Sequence, residues 1–322
     1  MSRIMLLPLL ALVTFTGCMK DELPVPARPR GEGSIMQVCM GPGYNEQLWI
    51  DLGSGTVVSS NPKTAWNLAF ESGTDGWHVR LNGSLLMSAM DLGAVDISAP
   101  HDTSGMFEAR LIDAPSGHPD STAIGDWRGT GHVYIIDLGY DALGQQLGFR
   151  KVRFDAVDAS RYVMQVALLN GSGLQTIEVD KDASRSAMAL HFVHGVVNVF
   201  PPIGSWDVVL TQYTHQFYEP FMPYIVTGVL LDLGRTRVAR VPDADLAEVV
   251  LSDTLLHPFS GRSDAIGYDW KDYSFETSSY MVNDRIVYIV QDAEGFYHKM
   301  RFLEFYSSTG EVGCPQFEIV PL

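Results

Sequence analysis

The sequence predicts an all-β protein of two similar antiparallel units with a sandwich-like architecture. Three observations carry that prediction. Short runs rich in Val, Ile, Tyr, Phe and Thr alternate with turn-forming clusters, the pattern of strands packed on strands. The 30 glycines are spread along the chain, and no long heptad pattern runs through it. Four stretches recur in the same order in the two halves.

At the start of the chain, residues 1–17 have the features of a signal peptide. Arg3 precedes an apolar run from Ile4 to Phe15, shorter than the roughly 20 residues that cross a bilayer. Thr16 and Gly17 stand just before Cys18, as in a bacterial lipobox, although Phe15 and Thr16 are looser than the usual residues there. Cys18 is therefore the expected lipid-attachment site, the alternative being an ordinary signal peptide with a chance cysteine. The Pro- and Arg-rich segment that follows predicts a flexible tether over 18–34. Beyond it the expected organisation is a first β unit over 35–182 and a second over 183–322.

Strands are predicted over 47–51, 56–60, 65–71, 77–82, 132–137, 149–155, 161–168, 174–179 and 187–199. They continue over 206–212, 224–232, 236–240, 285–291, 296–306 and 316–320. Helix is expected over Asp243–Val250, started by Pro242 and Asp243, and over 141–146. The recurring stretches pair Trp66–Phe70 with Trp206–Leu210, and Val79–Asn82 with Val229–Asp232. They also pair Ile124–Trp127 with Ile266–Trp270, and Gly148–Phe154 with Gly295–Phe302. Alternation along the last of these puts Phe296, His298, Met300 and Phe302 on one face, which makes His298 a strand histidine before it is a ligand.

The functional candidates lie in Trp206–Asp232. Two buried-strand runs there flank an aromatic segment with Tyr213, His215, Phe217, Tyr218, Phe221 and Met222. Pro220 and Pro223 bar it from a central strand, so a loop or edge is expected. In the first unit the equivalent link, Glu71–His78, is short and polar. His215 and Met222 are both competent haem-iron ligands, and tyrosine also serves. Flanking rings of Tyr213 and Tyr218 would sandwich a flat apolar ligand. The competing reading is an exposed His215 and a Met222 that plugs the core.

Catalytic constellations are not recognisable. Gly171-Ser172-Gly173 lacks the strand–nucleophile–helix setting, and Asp180-Lys181-Asp182 lacks the glycine turn and distal glutamate of a calcium loop. His191 and His194 lie in a strand-like run, where an odd separation would send their rings to opposite faces. An enzyme is not expected. The net charge of −16 argues against nucleic acid, since phosphate binding needs clustered Lys and Arg. Past Cys18 only Cys39 and Cys314 remain; outside the inner membrane they either pair or stay as two thiols.

Trp66–Phe70, Trp206–Tyr213, Pro223–Leu231, Ile266–Lys271, Tyr288–Val290, Gly295–Tyr306 and Gly310–Phe317 together resemble the HmuY-like family, haem-binding surface lipoproteins of Bacteroidetes. Lys20-Asp21-Glu22 similarly resembles the surface-export signal of such lipoproteins. The resemblance runs from about residue 38 to the C-terminus, and this chain is longer than the short haemophores. It implies a non-enzymatic, outer-membrane, cell-surface protein that takes up haem for iron acquisition and hands it to a TonB-dependent receptor or other outer-membrane β-barrel. Family members hold iron between two side chains. No ligand motif matches residue for residue here, so His215, Met222, Tyr213 and Tyr218 stand on the aromatic segment alone. Two other readings use the same chain: an accessory lipoprotein subunit of an outer-membrane complex without haem, and a glycan- or peptide-binding protein.

Overall fold

The structure is a computed structural model that describes residues 32–322. The signal peptide, Cys18 and most of the tether lie outside the described residues. Among those described, almost all regular structure is strand, as the sequence predicts.

A four-stranded and a five-stranded antiparallel sheet form a first sandwich. The four-stranded sheet has the order β12-β11-β4-β5, from Gly195–Val197, Ala187–His191, Leu68–Glu71 and Val79–Leu81. The five-stranded sheet has the order β10-β9-β8-β7-β6, from Gln175–Asp180, Arg161–Ala167, Phe149–Val157, Val133–Asp137 and Ser88–Asp91. Leu68, Phe70, Leu81, Ile136, Phe154, Met164 and Trp127 fill the core between them.

A second sandwich repeats that strand order. Its four-stranded sheet runs β3-β2-β13-β14, from Thr56–Pro62, Glu46–Asp51, Val208–Tyr218 and Phe221–Leu231. Its five-stranded sheet runs β1-β20-β19-β18-β15, from Ser34–Gln37, Val312–Pro321, Tyr297–Tyr306, Val287–Gln291 and Arg237–Val241. Ile50, Leu210, Val229, Tyr288, Phe302, Phe317 and Trp270 make up this core. A small separate hairpin, β16 (Lys271–Ser274) and β17 (Ser279–Val282), is inserted before β18.

All four recurring stretches fall on corresponding places in the two sandwiches: β4 with β13, β5 with β14, Trp127 with Trp270, and β8 with β19. The hydrogen bonding does not divide the chain at 182/183, however. β11 and β12 follow that point yet pair with β4, while β1–β3 precede it yet pair with β20 and β13. The first sandwich is thus a continuous segment set inside the second.

Neither expected helix forms. Residues 141–146 are a turn, and 243–250 are turns leading into a 3-10 turn at Leu251–Leu255. Asp245 and Asp253 cap local backbone N–H groups there, the competition with helix that makes Asp a turn residue. The segment 187–199 also departs from expectation. It is a hairpin whose turn brings the His191 and His194 rings into a stack, 4.4 Å between centroids, where an unbroken strand would have separated them.

Cys39 and Cys314 form a disulfide. It fixes the segment after β1 to the last strand, where Val38 and Met40 already donate to Pro315 and Gly313. Because the closed loop spans 275 residues, the Cys39→Ser/Cys314→Ser double variant should lose about 2–4 kcal/mol of stability. Urea unfolding with and without reductant reads this directly, and coincident midpoints would contradict it.

Candidate functional site

Of the loop or edge expected, the aromatic segment forms an edge, as the outer part of a long hairpin. β13 and β14 pair without interruption from Val208↔Leu231 to Tyr218↔Phe221. β2 pairs only with Val208–Leu210, so the remaining residues extend as a two-stranded ribbon beyond the sheet. Pro223 sits in this ribbon opposite Gln216. It is accommodated because β14 is an edge strand, where a missing N–H breaks no ladder. Thr214 Oγ1 donates to the Gly83 carbonyl (2.7 Å) and anchors the ribbon's base.

Alternation along the paired strands puts Tyr213, His215 and Phe217 on one face with Met222 and Tyr224, and Tyr218 and Phe221 on the other. His215 and Met222 therefore share a face, two register positions apart, and are not directly paired. The His215 ring packs edge-on against Phe217 (4.9 Å) and Tyr268 (5.0 Å). Its Nδ1 is buried without a hydrogen-bond partner. Burial pushes its pKa below the usual histidine value, against the pull of Asp264 and Asp269, so the neutral, ligand-competent imidazole prevails. Met222 is 43 % exposed, so it does not plug the core. Tyr213 is buried, and that burial raises its phenol pKa. Tyr218 projects into solvent at the tip. His298 is structural: buried, with Nε2 bonded to Asp292 at 2.8 Å.

A second wall went unnoticed in the sequence. The β16–β17 hairpin carries Tyr273, Phe275, Tyr280 and Met281, with Tyr273, Phe275 and Met281 exposed. Tyr280 lies near enough to Tyr224 of the ribbon for their phenols to interact. Lys271 Nζ ties the two hairpins by donating to the Thr227 carbonyl at 2.5 Å. Gly228 makes this approach feasible. A Cβ there would sit 2.3 Å from the Gly267 carbonyl oxygen, and the Val229–Gly267 bridge that carries Tyr268 to His215 would be lost. The available signal was the run Tyr273, Phe275, Tyr280, Met281 around a polar turn.

A sizeable cavity lies elsewhere. Its lining includes Tyr213 but not His215, Met222 or Tyr218. One metal-ligand cluster occurs among the described residues, Cys39, Glu311 and Cys314, and its sulfurs are consumed by the disulfide.

Residues 43–319 match the family model described as HmuY protein. This chain belongs to the HmuY family. Among solved structures it is similar to apo PinO from Porphyromonas gingivitis, at 9 % identity and TM-score 0.33, over 91 % of this chain and 98 % of that one. It is also similar to an apo HmuY analog from Tannerella forsythia, at 15 % identity and TM-score 0.19, over 54 % of this chain and 96 % of the other. No curated protein matches. The family assignment rests on the family-model match.

For a HmuY-family chain the cofactor to test against the structure is haem. The side-chain types suit it: an imidazole and an exposed thioether bordered by aromatic faces, with the unpartnered Nδ1 of the imidazole covered in this conformation. The ribbon offers these donors on one face, and the β16–β17 rings stand beside it.

Proposed function

We propose that this HmuY-family protein is a non-enzymatic surface lipoprotein that binds haem at the paired hairpins β13–β14 and β16–β17. The observation that supports it is the shared face of the ribbon, where His215 lies beside Phe217, Met222 and Tyr224 with the Tyr268 ring edge-on to the imidazole. His215 would hold the iron, with Met222 as the second donor. Phe217, Tyr224 and Tyr268 would cover the porphyrin and keep water away. Bound haem supplies the iron that the cell acquires. The chain's own part is to hold the ring and release it to an outer-membrane receptor, with Cys18 as the lipid anchor. An accessory subunit would make equal use of the exposed rings at the tip, but it gives no role to an imidazole and a thioether on one aromatic face.

An absorption titration with hemin on the chain lacking residues 1–18 tests this reading. The wild type should give a sharpened Soret band saturating at one equivalent. The His215→Ala/Met222→Ala double variant should bind about tenfold or more weakly, the loss of at least one ligand bond. An unchanged hemin spectrum with the wild type would remove the proposal.

A further inference from the structure

A cavity of about 490 Å³ opens between the two four-stranded sheets. It falls in the size range of small-molecule sites and lies at the kind of junction they favour. Trp49, Trp66 and Trp206, three of the six tryptophans, line it around Phe200. The Trp49 and Trp66 indoles donate to Asn61 (2.8 Å) and Gln47 (2.9 Å).

Asp232 lines the same cavity. It is 2 % exposed, yet its Oδ2 has no hydrogen-bond partner. Its ion-pair contact, Arg235, reaches Oδ1 at 3.9 Å, too far for a hydrogen bond. The corresponding residue of the first sandwich, Asn82, is fully engaged. Its amide donates to the Lys63 and Trp66 carbonyls (2.7 and 2.8 Å), and its Oδ1 accepts from the Ser84 N–H and hydroxyl (3.1 and 2.5 Å). Asn82 lines the same cavity, and there the fold completes every bond of the side chain. In the second sandwich it leaves a buried carboxyl oxygen open, which is unfavourable unless something donates to it. Three arginines line the cavity: Arg80 donates to Gly117, Arg185 to the Phe200 carbonyl, and Arg235 stands at its 3.9 Å contact with Asp232 Oδ1, leaving Oδ2 to the ligand.

We propose that this cleft is a ligand site separate from the hairpins, which takes a small, flat organic ammonium. The ammonium N–H donates to Asp232 Oδ2, and the apolar body lies along the tryptophan wall. Tryptophan faces also attract a cation placed over them, so wall and carboxylate select the same charge.

Calorimetric titration at pH 8, above the value of about 7 to which burial raises Asp232, of the wild type with 2-phenylethylamine and its neutral isostere 2-phenylethanol tests this. The amine should bind about tenfold or more tightly than the alcohol, as for a charge-assisted hydrogen bond. Asp232→Asn should erase the preference while the protein stays folded, since Asn82 occupies the same place in the first sandwich. Leu230→Trp, which narrows the cavity beside Trp206, should abolish binding of both. No amine binding, equal affinities in the wild type, a preference that survives Asp232→Asn, or amine binding that survives Leu230→Trp each overturns the proposal. Hemin uptake by Asp232→Asn should match the wild type, so failure at the cleft and failure at the hairpins are told apart.

Discussion

Replacing Trp270 by alanine is expected to cost about 3–5 kcal/mol, the range for removing a fully buried tryptophan. Trp270 is 1 % exposed, lies flat on Phe302 at 3.8 Å and meets Phe305 edge-on. The Lys271 ammonium sits 4.2 Å above its ring. Removal leaves a cavity at the centre of the second sandwich and strips the apolar cover from that cation. The melting midpoint should fall on the order of 10 °C for a domain of this size. A milder pair of variants checks the mechanism. The Trp270 indole N–H is buried without a partner, whereas that of Trp127 donates to the Trp77 carbonyl at 3.1 Å. Trp127→Phe gives up a hydrogen bond and Trp270→Phe does not, so Trp127→Phe should be the more costly by about 1 kcal/mol. Calorimetry on both decides it, and the reverse order would contradict the packing described.

Stability should also rise as the pH is lowered from 7 to 5, the opposite of what salt-bridged carboxylates produce. Burial pushes the Asp113 and Asp207 carboxyls up to about 6 and Asp232 up to about 7, from an ordinary 3.8. Between those limits the folded chain keeps protons that the unfolded chain has released. The stabilisation is therefore complete below about pH 4 and is lost as pH rises through 6–7. Lys271, pushed down by burial to about 7 from 10.5, works in a separate window. It adds stability as pH rises above 7 and has little further effect below. His215 and His191 are lowered by burial and oppose the trend below 6.5. The net gain from pH 7 to 5 should be roughly 2–4 kcal/mol, three aspartates outweighing two histidines. Asp126, held down to about 2 by its hydrogen bonds from Arg128, titrates only at lower pH. Scanning calorimetry across this range reads the sign, and a midpoint that drops on acidification would contradict it.

Strand positions were legible because β-branched and aromatic runs end at glycine and aspartate turns, as in Phe149–Val157 and Tyr297–Tyr306. The partners of those strands were not. Nothing local tells Glu46–Asp51 to pair with a strand 160 residues later, so a division by sequence order missed the insertion of one sandwich within the other. The two missing helices illustrate local capping by Asp245, Asp253 and Asp141, which sequence pattern alone reads as a helix start. The aromatic segment was recognised as special, and its prolines suggested a loop or an edge; it is the edge that forms. An edge strand tolerates Pro223, and edge status depends on the whole sheet. The second wall, Tyr273 to Met281, became visible only when the Val229–Gly267 bridge and Lys271 brought it beside the ribbon.

Hydrogen–deuterium exchange with and without one equivalent of hemin tests most directly whether haem is held by the paired hairpins. Slowed exchange confined to residues 213–226 and 271–282 is the predicted result. Unchanged exchange there, or protection centred instead on the cleft around Trp206 and Asp232, would contradict it.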